Sequence, residues 1–226
     1  MVALFACTSG AKNPDTLVEA LHEMVTRQIE RRGVQDKSVL QAMRNVPRHE
    51  FVPEEMRSFA YDDSPLPIGY DQTISQPYIV AYMSQALQVS KGDKVLEVGT
   101  GSGYQAAVLA EMGAEVYSIE IVKPLGERAK ATLDRLGYNV KVKIGDGYQG
   151  WPSQAPFKGI IVTAAPEQIP PPLVEQLQEG GTLVIPVGRN IQDLQIYAKH
   201  DNALKLVDTL PVRFVPMTGK AQGPSL

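Results

Sequence analysis

Cysteine is almost missing from this chain. Cys7 is the only one in 226 residues, which excludes an intrachain disulfide and any zinc site built on thiolates. Histidine is nearly as scarce: His22, His49 and His200 stand far apart with no second ligand at metal-binding spacing, so neither a metal centre nor a histidine-based triad is expected. No apolar stretch approaches the ~20 residues that span a bilayer, and no dense run of Lys and Arg relieves a formal net charge of −3. Membrane and nucleic acid are therefore not expected as partners. What remains is a chain with 43% hydrophobic residues, enough for one α/β domain with a substantial core in a reducing cytoplasm.

The most informative stretch is Val95-Leu96-Glu97-Val98-Gly99-Thr100-Gly101-Ser102-Gly103-Tyr104, an apolar strand running into a glycine-rich turn, followed by a helix-like segment from Gln105. Glycines 99, 101 and 103 let the backbone turn tightly and let a ligand approach the main chain. The spacing is not the dinucleotide one. Tyr104 stands where a G-x-G-x-x-G fingerprint needs glycine, and Glu97 would repel a pyrophosphate but favour a cationic head group. A nicotinamide-dependent oxidoreductase is disfavoured on both counts.

Along the chain, Leu17, Leu21, Met24, Val25 and Ile29 recur at helical spacing over residues 13–32, with Asn13 or Asp15 as caps and Gly33 as a stop. A shorter helix is predicted over residues 36–45. At residues 65–87 a polar turn leads into a helix with Pro77 in its first turn and Ser75 or Gln76 as cap. Residues 115–120 read as the second strand, which puts Glu120 about 20 residues beyond the glycine loop, where a carboxylate can accept hydrogen bonds from ribose hydroxyls. A strand-end acid facing solvent is the alternative. Residues 123–136 are predicted helical, 140–144 a strand running into Gly145-Asp146-Gly147, and 159–163 a buried strand. A helix over residues 171–178 stopped by Gly180-Gly181, a strand over 182–187, and a hairpin turning at Asp201-Asn202 complete the pattern. The alternation implies a doubly wound, mostly parallel sheet with a C-terminal antiparallel hairpin.

An acidic residue followed by G-x-G-x-G resembles the first motif of the S-adenosylmethionine-dependent methyltransferases, which implies a Rossmann-like class I fold and S-adenosyl-L-methionine as cofactor. The run Thr73-Ile74-Ser75-Gln76-Pro77 is similar to the Thr-Ile-Ser-x-Pro segment of the protein-L-isoaspartate(D-aspartate) O-methyltransferases, and motifs in the same order extend from Val46-Pro47-Arg48 to Val212-Arg213-Phe214-Val215-Pro216. That resemblance implies methyl esterification of the free α-carboxylate of L-isoaspartyl, and with them D-aspartyl, residues in damaged proteins, the first step of their repair. It makes Ser75 the active-site residue. It places Gln72, Thr73, Ile74, Ser75, Glu97, Gly99, Gly101, Gly103, Glu120, Gly145 and Asp146 at the cofactor, and Thr73, Ser75, Val212, Phe214 and Val215 at the isoaspartyl peptide. By the residues alone, capping suits Ser75 better than catalysis, and turn chemistry suits Asp146 as well as ligand binding does. Asp71 departs from the glycine frequent in bacterial relatives, so an inward carboxylate would oppose an acidic substrate. A small-molecule carboxyl methyltransferase is the alternative function. Residues 1–12 are expected as a tail and 13–226 as a single, monomeric methyltransferase domain, with 13–90 a helical substrate-side extension. Leu4-Phe5-Ala6-Cys7 is similar to a lipoprotein cleavage box but lacks the basic stretch and long apolar run of an export signal, so a periplasmic lipoprotein is the alternative to a cytoplasmic enzyme.

Overall fold

The computed structural model describes residues 14–222, so the cysteine box, the tail and the Asn13 cap lie outside the described residues. The first helix, α1 (Pro14–Met24), continues through a π turn (Val25–Ile29) and a 3-10 turn (Glu30–Arg32). It stops at Gly33, whose φ of 94° needs no Cβ and whose N–H reaches the Glu30 carbonyl at 3.0 Å. Helix α2 (Lys37–Asn45) begins at Asp36, whose Oδ1 accepts from the N–H groups of Ser38 and Val39 at 2.8 and 3.1 Å.

Residues 65–76 depart from the expected open turn. They form a two-stranded antiparallel hairpin, β1 (Leu66–Gly69) with β2 (Gln72–Ile74), turning at Tyr70 and Asp71 with φ of 55° and 56°. Two successive left-handed residues are the geometry whose twist matches a hairpin, and they account for a glycine-tolerant position at Asp71. Its side chain is exposed and does not line the cavities described below, so the feared inward carboxylate is absent. Helix α3 (Pro77–Ala86) then starts with Gln76 at the cap position and no side-chain cap bond; neither Ser75 nor Gln76 caps it.

The main sheet has the order β5-β4-β3-β6-β7-β8-β9. Strand β3 (Lys94–Val98) lies at its centre, followed by α4 (Tyr104–Glu111), β4 (Glu115–Glu120), α5 (Lys123–Leu136) and β5 (Val140–Ile144). The chain then crosses to the other side of β3 with β6 (Phe157–Val162), α6 (Pro171–Gln176) and β7 (Leu177–Val187), all five strands parallel. The hairpin β8 (Gln192–His200) and β9 (Ala203–Val212) closes the sheet antiparallel, turning at Asp201 and Asn202 with φ of 53° and 58°. Because β4 and β6 flank β3, the order reverses at β3 and opens a crevice at its carboxyl end.

The period-2 alternation of the strands sorts the core. Val95 and Val116 pack with helices α1–α4 on one face, while Leu96, Val98 and Ile119 pack with Leu173 and Leu177 on the other. One terminator was misplaced: Gly180 and Gly181 lie inside β7, and α6 passes straight into that strand at Leu177. The buried Lys199 explains why no glycine stop is needed, since its Nζ donates to the carbonyls of Val174 and Leu177 at 2.9 and 2.7 Å, satisfying the end of α6. Among the described residues no helix is long and apolar enough to cross a membrane.

Candidate functional site

The glycine loop leaves β3 at the switch point, and backbone bonds fix its path. The N–H groups of Gly99 and Thr100 reach the Ile119 carbonyl at 2.8 and 3.2 Å. Glu120, at the end of β4, accepts from Gly101 N at 2.7 Å through Oε2 and from Val122 N at 2.9 Å through Oε1, so one carboxylate ties the loop to the start of α5. Each oxygen keeps a lone pair for a further donor. At Gly99 a Cβ would collide with Thr163 Oγ1, which lies 2.6 Å from the Gly99 carbonyl oxygen; the glycine permits this approach of two strand ends.

Above the loop is a cleft open to solvent. Of the residues expected at a cofactor, Gln72, Thr73, Ile74, Ser75, Gly99, Gly101 and Glu120 line it. The hairpin β1–β2 brings the first four there, held by a hydrogen bond from Arg128 on α5 to the Ile68 carbonyl. Four expected residues do not line it. Glu97 is fully buried and points to the helical side of the sheet, beside the first turn of α4, because strand alternation turns it away from the face that Val98 presents to the cleft. Burial pushes its carboxyl up to about 8, opposed by the Ser118 hydroxyl, which donates to Oε2, and by the Ala106 N–H of α4; Thr100 and Ser118 hydroxyls lie 2.5 Å apart behind it, and Oε1 has no partner of full hydrogen-bond geometry among the described residues. It lies under the loop and is not part of the cleft wall. Gly103, with φ of 89°, starts α4 and packs against Leu133 of α5. Gly145 also stays outside the cleft. Asp146 is engaged with backbone, accepting from Tyr148 N through Oδ1 and from Lys220 N through Oδ2, both at 2.9 Å, and it is the neighbouring Gly147 that lines the cleft.

A second cavity, a groove with about 1210 Å³ of open space, adjoins the first. Val212, Phe214 and Val215 line it from the C-terminal side, and Gln76, Tyr78 and Ile79 line it from the start of α3. Thr73, Ser75, Thr163 and Val215 line both cavities, so the two meet at these four side chains. The segment after β9 is held across the carboxyl end of β6, with Ala165 N donating to Val215 O and Met217 N to Ala165 O, both at 2.8 Å. The side chain of Gln192 grips the same segment in both directions: its Oε1 accepts from Phe214 N at 2.6 Å and its Nε2 donates to Phe214 O at 3.2 Å.

Sequence reasoning missed Thr163, Gln192 and the residues Met217 and Thr218 that close the cleft. Thr163 had a usable signal, since it ends a parallel strand next to the switch point, where ligands bind. Gln192 had none. Arg48 of the Val-Pro-Arg motif proves structural: it is wholly buried, its Nε donates to the Ala60 carbonyl at 2.7 Å, and its guanidinium sits 5.0 Å from the ring of Tyr104 at the foot of α4.

The family model described as protein-L-isoaspartate(D-aspartate) O-methyltransferase matches residues 19–222. A protein-L-isoaspartate O-methyltransferase of Gloeobacter violaceus is 57% identical over 198 residues, covering 86% of this chain and 97% of its own, and one of Opitutus terrae is 59% identical over 198 residues, with 86% and 85% covered. Among solved structures, a protein-L-isoaspartate O-methyltransferase superposes with a TM-score of 0.82 at 31% identity, covering 90% of this chain and 67% of that one. Another from Plasmodium falciparum, described in complex with S-adenosyl-L-homocysteine, gives a TM-score of 0.74 at 26% identity, with 88% and 98% covered. With a glycine loop at the switch point, a Thr-Ile-Ser hairpin over it, and a family model spanning nearly the whole described chain, this protein belongs to the protein-L-isoaspartate(D-aspartate) O-methyltransferase family.

Proposed function

We propose that the enzyme transfers a methyl group from S-adenosyl-L-methionine to the free α-carboxylate of L-isoaspartyl residues in damaged proteins. The observation that carries this reading is the junction of two cavities at Thr73, Ser75, Thr163 and Val215: a cleft suited to a nucleoside and a groove suited to an extended peptide share one opening. The residues of the cleft fit the cofactor. Glu120 has acceptor capacity for two vicinal hydroxyls, Ile119, Ile121 and Val122 offer apolar surface beside it, and Gly99 lets Thr163 close up to the loop at the cleft wall. When bound, the cofactor supplies a methyl group on a sulfonium centre.

The remaining chemistry asks little of the protein. A carboxylate with pKa ~4 is ionised at neutral pH and needs no general base, which agrees with a junction free of histidine. Ser75 orients the acceptor carboxylate by hydrogen bonding, Thr73 and residues 212–215 hold the peptide on either side, and the hairpin with the strap of residues 215–218 keeps water from the transfer. Alignment of this kind can be worth about 7 to 11 kcal/mol. The ester product then closes to a succinimide: the amide nitrogen of the following residue attacks the ester carbonyl, the N–H proton is lost and methoxide departs as methanol, a far better leaving group than oxide, and hydrolysis of the ring returns part of it to normal aspartate. The same reading takes residues 13–226 as a single domain, with the helices and hairpin before residue 90 forming the substrate side, and the enzyme as a cytoplasmic monomer; sedimentation would test the monomer and cell fractionation the compartment.

The decisive assay compares synthetic peptides identical except for an aspartyl or isoaspartyl linkage, using labelled cofactor and measuring base-labile methyl incorporation. Shifting the chain by one methylene displaces the attacking oxygen by about 1 Å, so the isoaspartyl peptide is expected to be favoured at least about a hundred-fold. Equal labelling of both, or labelling of free small carboxylic acids alone, would overturn the assignment.

A further inference from the structure

The groove carries a charge that the methyl transfer does not use. Two arginines line it, Arg32 and Arg213, and no aspartate or glutamate does. Arg32 is set in place from two sides: its guanidinium carbon lies 3.5 Å from the centroid of the Tyr78 ring, and its Nη1 is 3.1 Å from Asp63 Oδ2. Asp63 is itself held by Gln76, whose Nε2 donates to Oδ1 at 2.7 Å and to the Asp63 carbonyl at 3.1 Å. A stacked, paired guanidinium has lost most of its rotamer freedom before any ligand arrives, yet its Nε and Nη2 have no hydrogen-bond partner among the described residues, leaving three N–H donors on a planar fork. Arg213 comes from the opposite end of the chain, is exposed, and forms no ion pair among the described residues.

Arg32 lines the groove but not the cleft, so it stands on the peptide side of the junction. We propose that Arg32, supported by Arg213, forms a subsite for an acidic side chain flanking the isoaspartyl residue, giving the enzyme a preference for damaged sites in acidic sequence. This rests on the isoaspartyl reading above and adds the charge of the neighbouring residue. Arg32 is partly exposed, with 42% of its side-chain surface open, and Asp63 already neutralises part of its charge, so the effect is one of moderate selectivity.

The test is a set of isoaspartyl peptides that differ only in carrying Glu, Gln or Lys at each of the three positions on either side of the isoaspartyl residue. At the favoured position the Glu peptide is expected to have a KM about three- to tenfold below its Gln counterpart, with Lys above both, and the spread should shrink as salt is raised. R32Q should collapse the Glu-to-Gln ratio, and R32K, which keeps the charge without the planar fork, should retain part of it. Calorimetry with S-adenosyl-L-methionine checks that both variants are folded. Equal KM values across Glu, Gln and Lys at every position would overturn the subsite while leaving isoaspartyl methylation standing, as would a Glu preference that survives both R32Q and R213Q. If no isoaspartyl peptide is methylated, both proposals fall together.

Discussion

The wall of the cleft made by residues 98–102 and the wall made by the hairpin of residues 66–76 both depend on left-handed backbone, yet they are held differently. The first is continuous in sequence, flanked by β4 and β6, and rests on buried groups: Glu97, Thr100 and Ser118 below it, Glu120 beside it. The second is a hairpin outside the main sheet, tied down by the buried Ile68 and by Arg128 reaching the Ile68 carbonyl. The buried polar groups under the first wall cannot be altered without changing stability, whereas Gln72, Thr73 and Ser75 of the second are exposed or half-buried and can change what they present while Leu66, Ile68 and Ile74 keep the hairpin in the core. The cofactor side and the acceptor side should therefore separate under mutation: the first in affinity and stability together, the second in peptide kinetics alone.

The largest effect expected is at Glu120. Glu120→Ala removes charge-assisted bonds to a ligand and also frees Gly101 and Val122, so S-adenosyl-L-methionine should bind more weakly by about 2 to 3 kcal/mol and the melting temperature should fall with it. Calorimetry showing unchanged affinity in the folded variant would mean the carboxylate serves the loop only. Next is Glu97. Its carboxyl is raised from an ordinary 4.5 to about 8, first by burial and with Glu120 adding to the rise. Between those values the folded protein holds a proton that the unfolded chain has released, so stability must fall as pH rises, by about 2 kcal/mol between pH 6 and pH 8. Denaturation at the two pH values should show the loss in the natural protein and a flatter profile in Glu97→Gln; equal slopes would place the titrating group elsewhere.

Ser75→Ala belongs to the acceptor wall. With no cap bond to lose at α3, it should leave the melting temperature nearly unchanged while cutting turnover at saturating cofactor about ten-fold, the scale of ~1.4 kcal/mol. A fall in melting temperature with turnover intact would show that the hydroxyl stabilises the helix in some other way and does not orient the acceptor. The same division explains what could be read in advance. Helix α5 and strand β5 appear at their expected bounds, and the glycine loop sits at the switch point, because local periodicity and glycine placement decide them. The hairpin β1–β2 escaped because strands of four and three residues, one containing Pro67, turn at Tyr70 and Asp71, which carry none of the usual Asn-Gly signal. Glu97 was read correctly as a strand residue but assigned to the wrong face, since adjacency to the glycines says nothing of which side of the sheet a carboxylate takes. The positions of Arg32 over Tyr78 and of Gln192 against Phe214 depend on residues 46 and 22 positions away, and no local pattern announces them.

The smallest effect expected is also the sharpest test of the division. Gln192 is buried near the end of the sheet, and its amide treats Phe214 as a neighbouring strand would, accepting from its N–H and donating to its carbonyl. It touches neither cavity, yet it fixes the segment from which Val212, Phe214 and Val215 line the groove. Gln192→Met keeps much of the volume and removes both bonds, which at about 1 kcal/mol should raise the KM for an isoaspartyl peptide about fivefold while kcat changes little. Gln192→Glu retains an acceptor for Phe214 N but no donor for its carbonyl, and should fall between the two unless its charge disturbs the buried site. Cofactor affinity is the discriminating measurement, because Val215 and Met217 on the same strap also line the cleft. If the strap acts only on the peptide, S-adenosyl-L-methionine will bind Gln192→Met as tightly as the natural enzyme. If affinity falls together with the rise in KM, the strap is a structural part of both cavities, and the two sides of the site are coupled through residues 212–217.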